Sequence, residues 1–202
     1  MTTGIIFDCF GVLYNDATTD FLKHHQASLD ALPASYAHLA KVNDEVDRGK
    51  VGGEVYYREL GAATGLTPRE VEAEMSDVSG LDAGVVALIR ELKPRYQIGM
   101  LTNADALFLQ RFLDNQDVRE LFDVVVVSSE IGFIKPEPEI VTIIAERMGK
   151  KFDELIFIDD KQMNVVAAQR LGIDSILFHS AAQTREELQV RGCIVPKNPS
   201  QK

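Results

Sequence analysis

The sequence has few basic residues for its acidic content. Its 202 residues include 21 Lys and Arg against 31 Asp and Glu, which gives a formal net charge of −10. Binding to nucleic acid or to an anionic membrane normally requires a basic face. We therefore expect neither as the main partner, although an acidic chain can still bind a phosphate group at one local site.

Cysteine is also scarce, and long apolar runs are absent. Cys9 and Cys193 are the only cysteines and show no CxxC spacing, which favours reduced thiols in the cytoplasm over a disulfide framework. No stretch approaches the ~20 apolar residues that a membrane helix needs. The first basic residue is Lys23, and Asp8 interrupts the N-terminal apolar run, which does not suit a secretory signal.

Internal repeats and low-complexity tracts are missing too, apart from the polar segment PKNPSQK at 196–202, which we expect to be frayed. With 46% hydrophobic residues, 7 Pro and 14 Gly, the composition is that of one globular core. Such a chain is expected to fold without covalent cross-links.

The sequence does contain a regular order of apolar segments. A helical pattern precedes each of the last four of the β-rich runs, which lie at 4–8, 96–102, 123–128, 155–159 and 174–178. Helices are predicted over 82–93, 137–149 and 161–171, the last ending at Gly172. Apolar strands that alternate with helices predict an α/β fold with a doubly wound parallel sheet.

The segment 15–79 breaks this alternation. One helical stripe carries Phe21, His25, Leu29 and Leu32, and a second carries Leu39, Val42 and Val46. A capping box from Thr67 to Glu70 predicts another short helix. We expect a helical cap domain at 15–79, inserted after the first strand of a core domain formed by 1–14 and 80–202, where it can act as a lid.

Polar side chains follow the predicted strands at the points where the strands end. Asp8 ends the first, Thr102 and Asn103 end the second, Asp159 and Asp160 end the fourth, and Lys135 lies in the loop after the third. In a doubly wound sheet the ligand crevice lies outside the carboxyl ends of the strands. Carboxylates beside groups that hold an anion indicate a hard cation between protein and phosphate, so the pattern predicts Mg²⁺ and a phosphorylated ligand.

Four segments, FDCFGVL, MLTN, FIKPEPEI and FIDDKQMN, resemble in order the four motifs of the haloacid dehalogenase superfamily. The resemblance covers nearly the whole chain, because the insertion is similar to the small helical cap of the first subclass of that family. The chain looks most like its small sugar-phosphate phosphatases and the N-terminal phosphatase domain of soluble epoxide hydrolases. The resemblance implies a Rossmann-like core and a Mg²⁺-dependent hydrolase of a small phosphorylated metabolite.

The resemblance also implies a role for each matching residue. Asp8 would be the nucleophile that forms an aspartyl-phosphate. Thr102, Asn103 and Lys135 would bind the phosphoryl group, with Phe10 and Gly11 of the nucleophile loop beside it. The metal would be held by Asp8, Asp160, Asp159 and the backbone carbonyl of Phe10, and Asn164 would orient that shell.

The chain departs from the family pattern at Phe10. In the phosphatases this position is usually an aspartate, which protonates the leaving group and then activates water. General acid–base catalysis contributes typically about 10²–10⁴-fold. Without it, we expect activity on good leaving groups such as acyl, aryl or anomeric sugar phosphates, or a proton taken from water or from a cap residue.

Two alternatives stay open. The family's 2-haloacid dehalogenases carry an aromatic residue at this position and need no metal, but they replace the acidic pair that is retained here as Asp159 and Asp160. They also use a cap arginine for the halide, and no arginine lies between Asp8 and Arg48. The other alternative is a weakly active or inactive relative that binds a phosphorylated metabolite or a protein.

Several residues also have purely structural interpretations. Asp160 or Asn103 could cap a helix, Thr102 could bond a turn, and Lys135 could be a solvated loop residue. Cys9 is expected to pack as a small apolar residue. The remaining candidates for the cap side of the cleft are His24, His25, Tyr14, Tyr56 and Tyr57.

Overall fold

The computed structural model describes residues 1–31, 34–78, 80–115 and 118–194. Within them, five parallel strands form one sheet in the order β3-β2-β1-β4-β5. The strands lie within the predicted runs: β1 (Gly4–Phe7), β2 (Gln97–Thr102), β3 (Val124–Val127), β4 (Leu155–Asp159) and β5 (Asp174–Leu177). The predicted segment 196–202 and Leu32 lie outside the described residues.

The two faces of the sheet are covered by different helices, because successive side chains of a strand point to opposite faces. Ile5 and Phe7 of β1 pack in one apolar cluster, and Ile6 packs in another. The first cluster includes residues of α6 (Ala83–Leu92), α7 (Ala106–Asn115) and α11 (Ala181–Val190); the second includes residues of α9 (Pro138–Met148) and α10 (Gln162–Arg170). The predicted doubly wound parallel fold is confirmed.

Between β1 and α6 lies the helical insertion, which is made of α1 (Ala17–His24), α2 (Gln26–Asp30), α3 (Ala34–Asp47), α4 (Gly53–Thr64) and α5 (Pro68–Val78). It has an apolar cluster of its own, which contains Phe21, Leu29, Leu60 and Val71. The predicted first stripe is divided between α1 and α2, because the chain turns at His25. The predicted capping box is present: Glu70 Oε2 accepts the Thr67 N–H at 2.7 Å, and Thr67 Oγ1 accepts the Glu70 N–H at 3.3 Å.

The end of α3 in the insertion contacts the core at α8 (Ser128–Ile131). The Arg48 guanidinium contacts both carboxylate oxygens of Glu137, at 2.6 and 3.2 Å, and Asp44 at 2.9 Å. Gly49 follows with a φ of +67°, and its Cα lies so close to the Ser129 carbonyl that a Cβ would overlap it. A bidentate ion pair and one close backbone approach thus hold this junction.

Among the described residues, no helix has both the length and the apolar composition required to cross a bilayer.

Gly49→Ala tests the close approach at the junction. Gly65→Ala is the matched control, because Gly65 has a φ of +80° and nothing within 4 Å of a Cβ. We expect the control to lower the free energy of unfolding by about 1 kcal/mol through backbone strain alone. Gly49→Ala should cost at least about 1 kcal/mol more, since its methyl group also displaces the Ser129 carbonyl. Urea unfolding measures both, and equal losses would contradict the close contact.

Candidate active site

Asp8 directly follows β1 and lies where the carboxyl ends of β1, β2 and β4 meet. Its N–H donates to the Ile158 carbonyl at 2.9 Å, which continues the sheet by one residue. Its Oδ1 accepts the Cys9 N–H at 2.6 Å. The carboxylate is buried, so the fold fixes its position and keeps most water away from it.

Lys135 joins Asp8 to Asp159. Its Nζ lies 2.7 Å from Asp8 Oδ1 and 2.8 Å from Asp159 Oδ2, and its side chain is only 3% exposed. The interpretation of Lys135 as a solvated loop residue is therefore wrong. Buried charges of this kind persist only when they are paired, and removing one partner typically costs about 3–5 kcal/mol.

Asn103 positions the backbone of Lys135. Its Oδ1 accepts the Lys135 N–H at 2.8 Å, and its Nδ2 donates to the Lys135 carbonyl at 3.1 Å. Both ends of the amide are thus occupied by the protein, and Asn103 does not cap α7. The Asp105 side chain does so instead, by accepting the Phe108 N–H at 2.8 Å.

Asp159 is fixed by three groups. Besides Lys135, the Lys161 N–H and the Asn164 Nδ2 both donate to its Oδ1 at 2.9 Å. The structure therefore brings Asn164 to the acidic pair, as the sequence indicated. Because both of its oxygens already accept hydrogen bonds, Asp159 is suited to positioning Lys135.

Thr102 ends β2, the strand that pairs with β1, and its side chain is buried. Within the described part of the chain, its Oγ1 has no hydrogen-bond partner. Ser128, which the sequence analysis did not single out, is fully buried and accepts the Ala104 N–H at 3.0 Å, so it orders the turn after Thr102. The only sequence signal for Ser128 was its position directly after β3. An unpartnered buried hydroxyl is costly, which suits Thr102 to receive an oxygen of a ligand.

Asp160 is the carboxylate that is free to take a cation. Its Oδ1 is buried without a partner among the described residues, and it does not cap α10. One oxygen of each of Asp8, Asp159 and Asp160 lies within 4.8 Å of the other two. Gly11 has a φ of +91°, and a Cβ there would overlap the Asp160 carboxylate, so only glycine leaves this space open. Hard oxygen ligands at this separation fit Mg²⁺.

The electrostatics of the cluster also favour a cation. Burial raises the pKa of Asp8 to about 8, since Lys135 offsets the desolvation only in part and Asp159 adds repulsion. Burial also raises the pKa of Asp160. For Asp159, burial acts in the same direction, but Lys135 and the hydrogen bonds from the Lys161 N–H and Asn164 together outweigh it and hold the pKa below its usual range. A divalent cation between these carboxylates would favour the charged forms of Asp8 and Asp160, which burial alone disfavours.

The side chain of Phe10 turns into an aromatic cluster. Its ring centroid lies 5.8 Å from that of Phe108 and 6.0 Å from that of Phe112, both on α7. Tyr57 of α4 reaches the same cluster, 6.2 Å from Phe108. Phe10 thus contributes no acid to the site and instead packs in a ring cluster that Phe108 connects to the helical insertion.

A cavity of about 200 Å³ lies beside the cluster, between the core and the insertion. Its lining includes Phe10, Asn103 and Lys161. In sequence, these three residues directly follow Asp8-Cys9, Thr102 and Asp160. The insertion contributes Tyr56 and Tyr57, which the sequence analysis proposed, and Asp16, Asn43 and Asp47, which it missed. These contacts depend on how the insertion docks, so no local pattern indicated them.

The Asp47 side chain is half-buried in this lining. Burial raises its pKa to about 6, and Lys161 acts in the opposite direction. Asp47 is the last residue of α3, and nothing in the local sequence indicated that its side chain would line a cavity.

The other sequence candidates lie away from the cavity. Tyr14 is buried and its hydroxyl donates to the Phe112 carbonyl at 3.3 Å. The His25 ring bonds Glu74 at 3.0 Å within the insertion, and neither His24 nor His25 lines the cavity. Cys9 is fully buried in the apolar cluster, and burial raises the pKa of its thiol, which agrees with a packing role.

Known proteins share this architecture. A sesquiterpene phosphatase of Aspergillus oryzae is 31% identical over 93% of this chain and 96% of its own length. The D-ribitol-5-phosphate phosphatase of Bacteroides thetaiotaomicron is 24% identical over 94% of this chain and 98% of its own. A haloacid dehalogenase family enzyme of the same bacterium, solved with magnesium and inorganic phosphate, superposes with a TM-score of 0.71 at 20% identity and covers 89% of this chain and 96% of its own.

The family comparison agrees with the fold and the order of the motifs. The family description of haloacid dehalogenase-like hydrolases matches residues 2–172, which include β1 to β4 and the helical insertion. The chain belongs to the haloacid dehalogenase-like hydrolases.

Proposed function

We propose that the protein is a Mg²⁺-dependent phosphatase of a small phosphorylated metabolite and acts through an aspartyl-phosphate on Asp8. The observation that carries this proposal is the ion triad of Asp8, Lys135 and Asp159, beside two buried oxygens, of Thr102 and Asp160, that have no partner in the described part of the chain. A phosphate and a cation would satisfy both of these oxygens. The phosphatase names of the two relatives support the same reaction class.

In the proposed reaction, the Asp8 carboxylate attacks phosphorus, the bond from phosphorus to the leaving oxygen breaks, and the leaving oxygen takes a proton from water because Phe10 supplies none. Water then hydrolyses the aspartyl-phosphate and regenerates the carboxylate. The Lys135 ammonium neutralises charge on both the nucleophile and the phosphoryl group, and the Thr102 hydroxyl donates to a phosphoryl oxygen. Asn103 keeps Lys135 in place through its two hydrogen bonds to the backbone.

Asp160 would be the main carboxylate on Mg²⁺, with Asp8 and the backbone carbonyl of Phe10, while Asp159 and Asn164 support that shell. When bound, the metal would supply positive charge for the phosphate oxygens. Gly11 leaves room for the Asp160 carboxylate. The magnesium and phosphate bound in an enzyme of the same fold support Mg²⁺ as the cation.

The helical insertion would be a cap domain at 15–79 that closes on the core domain of 1–14 and 80–202. Its residues line one cavity together with core residues that include Phe10, the second residue after Asp8, which supports a role in enclosing the substrate. Free Cys9 and Cys193, both buried, are consistent with a reducing cytoplasmic location. A small phosphorylated molecule is the partner that this arrangement favours over nucleic acid or a membrane.

The dehalogenase alternative is less consistent with the site. Arg48, the first arginine after Asp8, is engaged by Asp44 and Glu137. The acidic pair is retained, and Asp160 has an unpartnered oxygen, which a metal-free reaction would not require. The remaining alternative, a weakly active or inactive relative, has Phe10 in its favour.

Asp8→Asn should lower kcat for phosphate-ester hydrolysis by at least about 10³-fold, because an amide is not a nucleophile. Asp82→Asn is the control, since Asp82 caps α6 and asparagine caps equally well. Phosphate release from acetyl phosphate measures both variants, and circular dichroism verifies their folding. Turnover by folded Asp8→Asn at the wild-type rate would refute the assignment of the nucleophile.

Asp160→Asn should remove the stabilisation that Mg²⁺ gives to the folded protein without substrate. Saturation at 100 times Kd stabilises a protein by about 2.7 kcal/mol, which urea unfolding with and without Mg²⁺ measures. Asp174→Asn serves as the control, because Asp174 begins β5 and binds Arg191 away from the site. An unchanged Mg²⁺ effect in Asp160→Asn would exclude Asp160 as the main ligand.

Phe10→Asp restores the missing acid. We expect it to raise kcat for alkyl phosphates by about 10²-fold, and for aryl phosphates by less than roughly tenfold, because a phenol leaves without a full proton transfer. Phe10→Asn is the matched control, since it removes the same ring contacts but supplies no proton. Equal gains on both substrate types, or equal gains in the two variants, would contradict this account of Phe10.

A further inference from the structure

The cavity that Phe10, Asn103 and Lys161 help to line has one apolar wall that belongs to both the core and the insertion. We call it the aromatic wall and define it as Phe10, Phe108 and Tyr57. Phe10 is the second residue after the nucleophile, Phe108 lies one turn into α7, and Tyr57 lies on α4. Phe112 and Tyr14 pack behind it, with ring centroids 5.4 Å apart, so the wall is supported by a second layer of rings.

Three neutral polar side chains around this wall, of Asn103, Thr19 and Asn43, are engaged within the protein. Asn103 is bound at both ends by Lys135, and the Thr19 hydroxyl donates to Asp16 at 2.8 Å. Asn43 Nδ2 donates to Asp47 at 2.9 Å. These three side chains therefore offer few free donors to the hydroxyl groups of a sugar or a polyol, and a site that recognises hydroxyls needs its donors unpaired.

The charges of the lining act against a second anionic group. Three carboxylates, of Asp16, Asp47 and Asp105, border the cavity, and Lys161 is the only cation among its described lining residues. Lys161 already lies 3.8 Å from Asp16. A substrate with a carboxylate or a second phosphate at this position would meet net repulsion.

We propose that the substrate is a phosphate monoester whose leaving group is uncharged and apolar, of the aryl or prenyl type, and that the aromatic wall binds this group. The inference rests on the proposed phosphatase function and specifies its substrate class. A cavity of about 200 Å³ accommodates a group the size of a naphthyl ring or a short prenyl chain, but no large polymer. The Phe10 side chain would thus bind the leaving group at the position where the family's phosphatases usually carry the acid.

The test compares kcat/KM in Mg²⁺ for five substrates. 1-Naphthyl phosphate and geranyl monophosphate present apolar groups, ribitol 5-phosphate presents a polyol, phosphoglycolate presents a second anion, and acetyl phosphate reports phosphoryl transfer with almost no leaving-group surface. We expect at least one of the two apolar esters to exceed ribitol 5-phosphate and phosphoglycolate by roughly tenfold or more. A higher kcat/KM for 1-naphthyl phosphate than for geranyl monophosphate assigns an aryl leaving group, and the reverse order assigns a prenyl group.

Phe108→Ala should lower kcat/KM for the preferred apolar ester by about tenfold more than it lowers kcat/KM for acetyl phosphate, and the difference should lie mainly in KM. Leu107→Ala is the matched control, because Leu107 lies on the same helix, is 70% exposed and does not line the cavity. Tyr57→Ala tests the wall from the insertion and gives an independent result if Phe108→Ala folds poorly.

The outcomes separate the two proposals. Turnover of acetyl phosphate together with a preference for ribitol 5-phosphate or phosphoglycolate would overturn the substrate class and leave the phosphatase function standing. An equal loss on acetyl phosphate and on the apolar ester in both wall variants would also overturn it, since the wall would then act on folding or chemistry. No turnover of any of the five substrates would overturn both proposals.

Discussion

The arrangement of the site depends on one buried ammonium group. Lys135 is held between Asp8 and Asp159, and these charges could not be buried without one another. The carboxylates come from the ends of β1 and β4, while Lys135 comes from the loop beyond β3. The triad therefore connects three strands at their carboxyl ends, and it gives the loop a fixed position that its own backbone would not supply.

Much of this arrangement could be predicted, because parallel strands bring their carboxyl ends to one edge. The order of the apolar runs was sufficient to place Asp8, Thr102 and Asp160 together. The sequence did not decide between a solvated and a buried Lys135, since that depends on the partners in space. The position of Asn103 was predicted correctly, but its engagement with Lys135 was not, because the two residues are 32 positions apart.

The helical insertion was predictable as a segment but not in its internal geometry. Its apolar stripes and the capping box at Thr67 are local features, so they could be seen in the sequence. The turn at His25 interrupts a stripe whose spacing alone was compatible with one continuous helix. The meeting of Tyr57 with Phe108 joins two segments that are about 50 residues apart, and only the docking of the insertion brings them together.

Phe10 changes the site in two ways that act in the same direction. The ring removes a proton donor, which disfavours leaving groups that depart as strongly basic alkoxides. The ring also adds an apolar surface two residues after the nucleophile, where it packs on Phe108. An aryl leaving group needs little protonation and binds well to such a surface. The loss of the acid and the gain of the wall therefore both favour an aryl leaving group, whereas a prenyl group would gain from the wall alone. A phenylalanine here is compatible with efficient chemistry on a narrower set of substrates.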